Sequence, residues 1–133
     1  MTGFARFDEL AVGDNFPGQP LNFVVSPERV AKFLGAIGAD PMVGTNAPSM
    51  LAAVYLVDLL KSRNSPPGGI HAKQGLRFFR SLRVGEVLSV QGKIIETYER
   101  RGRPYVVSDF ETRDADGGLV ASGRITSIWG KDP

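Results

Sequence analysis

The hydrophobic pattern has two periods, and it changes from one to the other at residue 70. Before that point apolar residues recur at helical spacing. Ser26-Pro27-Glu28 opens a helix: Ser26 can accept at the N-cap, Pro27 suits the first turn, and Glu28 suits the positive end of the helix dipole. Val30, Phe33, Leu34 and Ile37 then form one apolar face, and Gly38 stops the run. After a loop over 39–47, Pro48-Ser49-Met50 begins a second helix that continues past Leu60 and is apolar nearly all round. Ser49, Tyr55, Asp58 and Ser62 are its only polar stripe. Such a helix is buried on most sides. Asn46, just ahead of it, can cap its first turn, and a buried Asp58 needs a partner. Ser65-Pro66-Pro67-Gly68-Gly69 ends the helical half.

From residue 70 the period is two. Ile70, Ala72, Gln74, Leu76 and Phe78 alternate with His71, Lys73, Gly75, Arg77 and Phe79, which puts His71 on the same face as Lys73 and Arg77. Val84-Gly85-Glu86 reads as a turn, and residues 87–98 as a long strand with a bulge at Gly92. Residues 105–113 and 119–129 make two more strands, joined by the hairpin signal Asp114-Ala115-Asp116-Gly117-Gly118. Near the start, Leu21–Val25 is a short strand set off by Pro17, Gly18 and Pro20. The arrangement that buries all of this is α+β: an antiparallel sheet of about five strands wrapped around one central buried helix. An edge of such a sheet stays unpaired, which favours dimerisation edge to edge.

Composition narrows the chemistry. At 133 residues the chain is one domain by size. Cysteine is absent, which excludes disulfides, thiolate metal sites and a thiol nucleophile, and the single histidine, His71, excludes a zinc site of several imidazoles. No apolar run is long enough to span a membrane and no signal core opens the chain, so the expected location is cytoplasmic. Net charge is +2, but residues 61–103 hold ten of the sixteen basic residues and three acids, leaving +7 there and −5 elsewhere. No nucleic-acid-binding motif accompanies that excess, so a solvated face or a phosphorylated small ligand explains it better than nucleic acid.

Four stretches together resemble the MaoC-like hydratase/dehydratase family, which has the hotdog fold. They are Phe7-Asp8-Glu9-Leu10-Ala11-Val12-Gly13-Asp14, Ala47-Pro48-Ser49-Met50-Leu51, the strand and turn from Leu76 to Leu88, and Asp116-Gly117-Gly118-Leu119-Val120. The resemblance covers roughly residues 7–129 and rests on their order and spacing. It implies binding of an acyl or enoyl thioester, usually of coenzyme A as substrate with no cofactor, and reversible addition of water to a trans-2-enoyl group. In the family a loop motif, D-x-N-P-x-H, supplies an acid and a histidine that position water and move a proton, while a backbone N–H at a helix start polarises the thioester carbonyl.

This chain departs from the motif. Aligned on Pro41, it has Gly38 at the aspartate position, Asp40 at the asparagine position and Val43 at the histidine position. Neither Gly nor Val can do acid–base work. The remaining candidates for catalysis are Asp40, which otherwise braces its turn, and His71, which otherwise is a surface strand residue. Candidate substrate contacts are Asn46, the N–H groups of Ser49 and Met50, Tyr55, and the basic side chains Lys73, Arg77, Arg80 and Arg103, which suit the coenzyme's phosphates. The resemblance thus leaves three readings: a non-catalytic subunit that completes a partner hotdog's site, an active (R)-type hydratase with a rearranged site, and an acyl-CoA thioesterase. The partners implied are acyl-CoA or enoyl-CoA and a second hotdog chain, in a homodimer or heterodimer.

Overall fold

A computed structural model describes residues 4–38 and 46–131. Five long antiparallel strands form one sheet. In chain order they are β1 (Asn15–Val24), β3 (Ile70–Phe78), β5 (Val87–Arg100), β6 (Arg103–Arg113) and β7 (Leu119–Ile128), and across the sheet they lie β1-β5-β6-β7-β3. The two-residue strands β2 (Asn46–Ala47) and β4 (Leu82–Arg83) pair with each other beside it. Helix α1 (Pro27–Ala36) follows β1. Helix α2 (Ala52–Lys61), entered through a single 3-10 turn at Ser49–Leu51, packs on the concave face. β3 does not pair with the next long strand: it crosses to the far side of the sheet and pairs with β7.

The concave face is built by alternation. Leu88, Val90 and Ile94 of β5, Val106, Ser108, Phe110 and Thr112 of β6, and Ile125 and Ser127 of β7 are all buried there. α2 presses Leu51, Ala52, Tyr55, Leu56 and Leu59 onto them. Tyr55 is fully buried; its ring meets Phe23 of β1 edge-on at 5.3 Å, and its oxygen accepts a 3.0 Å hydrogen bond from Thr112 Oγ1. One residue therefore fixes the helix to two strands.

Several expectations need correction. The first strand is ten residues long and runs through Pro17, Gly18 and Pro20. It can do so because β1 lies at the edge of the sheet, where a missing N–H faces outward, and because its register shifts between Phe16 and Leu21. Gln91 Nε2 donates to Pro17 O at 3.0 Å across the gap. The bulge in β5 falls at Ile95, not Gly92: Ile94 pairs with Ser108 and Glu96 with Val107. Gly92 stays in register because its missing side chain is the space that the Phe16 ring occupies. Asp58 is exposed, so it needs no buried partner. The sheet wraps α2 as expected but leaves one stripe open at the helix and its entry turn: Met50 is 54% and Val57 51% exposed, and Ala53 between them is exposed too.

α1 follows the sequence pattern closely. Ser26 Oγ accepts from Arg29 N at 3.2 Å, Val30 and Leu34 are buried, and Gly38 leaves the helix at φ +71.

Gly123, in the middle of β7, shows how tightly the sheet is packed. A Cβ there would collide with the carbonyl oxygen of Gly75 and with the ring of Phe110, neither of which can swing aside. Gly123→Ala is therefore expected to cost about 2–3 kcal/mol, read as a lower urea midpoint with an unchanged slope.

Candidate functional site

The motif loop, with Asp40, Pro41 and Val43, lies outside the described residues; its two flanks are described. On one side α1 ends at Gly38. On the other, β2 pairs Asn46 with Arg83 and Ala47 with Leu82, which ties the end of the loop to the β3–β5 connection. Asn46 does not cap the helix. It is exposed in that short ladder, and the residue at the N-cap is Pro48, which has no side chain able to accept. The entry turn at Ser49 and Met50 therefore has no side-chain cap. Ser49 is half-buried, and Met50 projects outward.

The connection held by β2 is rigid because of Arg80. Its Nη1 donates to Ser81 O at 2.8 Å and to Glu86 Oε2 at 3.0 Å; its Nη2 donates to Glu86 Oε1 at 2.5 Å and to Asp114 Oδ2 at 3.2 Å. Glu86 also accepts from Arg83 N at 2.6 Å. The Arg80 hydrogen bonds hold the Glu86 carboxyl below its ordinary value, and the carboxylates in turn raise the Arg80 guanidinium. Asp114 is lowered first by the Gly118 N–H inside its own hairpin and then by Arg80. Arg80, read from sequence as a phosphate contact, thus has both terminal nitrogens engaged in bracing two turns.

The remaining basic candidates do not converge. Lys73 and Arg77 lie on the convex face of β3, paired with Thr126 and Ser122, and the Arg77 guanidinium sits 5.0 Å from the centre of the Phe79 ring. Arg103 lies opposite Arg100 at the tip of the β5–β6 hairpin. The strand rise puts it on the order of 25 Å from the row that contains Arg77.

His71 is not on the face expected. The register of β3 against β7 slips between His71 and Lys73, so His71 pairs with Ser127 while Lys73 pairs with Thr126. Ser127 is buried on the concave face, so His71 points to the helix side. It lies beside Leu60 and Arg63, at the C-terminal end of α2, whereas the motif loop enters at the N-terminal end.

Arg63 is a residue that sequence reasoning counted only as charge. Its guanidinium lies 5.2 Å from the Trp129 ring centre and 5.8 Å from that of Phe16, and Nη2 donates to Ser127 Oγ at 3.3 Å. Nε and Nη1 are buried without a hydrogen-bond partner, and burial pushes the group down to about 10. Nothing in the local sequence Lys61-Ser62-Arg63-Asn64 signals this, because Trp129 and Phe16 are distant along the chain.

Sequence comparison finds no matching family model and no matching curated protein. Structure comparison is decisive for the fold. The R-hydratase PhaJ1 from Pseudomonas aeruginosa superposes with a TM-score of 0.79 at 19% identity, over 95% of this chain and 86% of that one. The monoamine oxidase regulatory protein from Archaeoglobus fulgidus gives 0.81 at 15% identity, over 98% and 97%. The HadBC (3R-hydroxyacyl-ACP dehydratase) complex from Mycobacterium tuberculosis gives 0.72 at 20% identity, over 90% and 96%. This chain has the hotdog fold. Its α2 is the hotdog's central helix. Among the described residues no helix is long and apolar enough to cross a membrane.

Two measurements test how the hotdog is braced. Tyr55→Phe removes the acceptor for Thr112 and is expected to cost about 1 kcal/mol in denaturant unfolding. Glu86→Gln is expected to cost about 1–3 kcal/mol at neutral pH, because Arg80 loses its principal partner. The folded carboxyl titrates below its ordinary 4.5. Its contribution is therefore complete above that value and disappears as pH falls through the folded value, and the Gln variant should lack that part of the acid loss in thermal melts.

Proposed function

We infer that this protein is a MaoC-like hotdog subunit that binds an acyl or enoyl thioester without supplying the acid–base pair of the hydration reaction. The observation that carries the reading is the substitution within the motif loop: Gly38 and Val43 stand where the family has its aspartate and histidine. His71 is no substitute in this chain, because it sits at the other end of α2. The thioester carbonyl would meet the N–H groups of Ser49 and Met50 at the helix entry, in the family manner. Arg80 is occupied by Glu86 and Asp114, and Lys73 and Arg77 lie on the face of the sheet away from the helix entry, so the reading does not rest on the basic side chains.

A second hotdog chain completes the reading. The two edges of the sheet differ. β1 carries Pro17 and Pro20, which blunt it, while β3 has nine residues and no proline. β3 is exposed along most of its length, and α2 leaves Met50, Ala53 and Val57 uncovered. An apolar helix stripe and an open strand edge together suit a partner with the same fold, homologous or identical, as the HadBC complex joins two chains.

Asp40 keeps the alternative of an active (R)-type hydratase alive, since a carboxylate in that loop can act as a lone base. The purified protein alone, mixed with crotonyl-CoA and longer enoyl-CoA, should give no loss of enoyl absorbance, while a co-expressed second hotdog chain should co-elute with it and restore turnover. Turnover by the lone protein that vanishes in Asp40→Ala would overturn the non-catalytic reading in favour of the enzyme. Thioester hydrolysis, read as free thiol release, would point instead to a thioesterase.

A further inference from the structure

The cleft at the C-terminal end of α2 holds a charge that no carboxylate answers among the described residues. Arg63 stays cationic at neutral pH, since its value of about 10 is still well above 7. Two of its three nitrogens have neither a partner nor contact with solvent, and the third makes one long bond to a neutral hydroxyl. Aromatic rings at 5.2 and 5.8 Å offset part of the cost. A half-buried cation with no carboxylate partner among the described residues is nevertheless costly for a small domain, and a well-packed apolar residue in its place would be neutral or stabilising.

The surroundings say what would answer it. The adjoining cleft has a volume of about 370 Å³. Its walls are mixed: Leu60, Pro66, Pro67, Ile70 and Trp129 contribute apolar surface, Ser65, Ser127 and the backbone at Gly68 and Gly69 contribute polar surface, and its charged or titratable groups are Arg63 and His71; no acid lines it among the described residues. The walls are also stiff. A Cβ on Gly130 would collide with the carbonyl oxygens of Pro66 and Pro67, and the Trp129 indole is pinned by a 2.8 Å bond from Nε1 to Ala5 O. A pocket of mixed lining with one basic side and no acid suits a small anion that carries some hydrocarbon. Such a group gains a charge-assisted contact from Arg63, whose side chain lines the cleft, and covers hydrocarbon of Leu60, Pro67 and Ile70.

We propose that this cleft is a binding site for a small organic carboxylate, with Arg63 as its counter-charge and His71 at its rim. It lies at the opposite end of α2 from the motif loop and does not depend on whether that loop is catalytic.

The protein contains one tryptophan, Trp129, so its fluorescence reports on this cleft alone. Butyrate, butyramide and inorganic phosphate are titrated at constant ionic strength, with tryptophan emission and thermal melting as readouts. Butyrate should give a saturable emission change with a dissociation constant on the order of 1 mM. At tenfold that concentration it should raise Tm by about 5 °C. Butyramide, of the same shape but neutral, should do neither. Arg63→Met should melt at or above the temperature of the ligand-free native protein and lose the butyrate response. No saturable response to butyrate, an equal response to butyramide, or an unchanged response in Arg63→Met overturns the proposal. A saturable response to phosphate alone overturns the carboxylate assignment and leaves an oxyanion site of another class. If Arg63→Met fails to fold, the butyrate–butyramide comparison on the native protein still decides.

Discussion

The seat of α2 on the concave face is the constraint from which the rest follows, and Tyr55 is its centre. A fully buried phenol must place its hydroxyl against a polar partner, and Thr112 is the partner available on β6. The ring at the same time packs on Phe23 of β1. With the helix fixed in rotation, its entry at Ser49 and its exit at Arg63 are fixed as well. The two ends then acquire different chemistry. The entry has an uncapped turn at Ser49 and Met50; the exit has a half-buried guanidinium and a cleft of mixed lining.

The sequence made the architecture legible because the two periods are clean. Val30 and Leu34 mark one face of α1, and the even residues of β6 mark the concave face of the sheet. It failed where one residue breaks a period. The slip at Ala72 reverses every side chain before it, so His71 was placed with Lys73 and Arg77 when it belongs with Leu76 and Phe78. The bulge in β5 was assigned to Gly92 on residue type, yet glycine served there to admit the Phe16 ring. Pro17 and Pro20 look like the limit of β1 from sequence, because edge position is a tertiary property that the local sequence does not carry.

The candidate site was legible in the sequence as residue types but not as geometry. The identities of Gly38 and Val43 could be read directly. Whether a basic residue is free could not, because its partners come from elsewhere in the chain: Arg80 is satisfied by Glu86, six residues on, and by Asp114 in a different hairpin. Arg63 is the reverse case, a cation whose neighbours Phe16, Ser127 and Trp129 all come from distant strands and bring no carboxylate. In both, composition gave the charge and only the fold gave its environment.

The prolines of β1 also bear on how far any assembly can grow. A sheet whose two rims were equally receptive could add chain after chain and lengthen into a fibre. Here one rim is spoiled for ladder formation at Pro17 and Pro20, so an addition at β3 has no equivalent opposite rim from which to propagate. Stacking of strands is thereby biased to stop at a closed pair, and the protection comes from two residues that a propensity scale would count only against the strand.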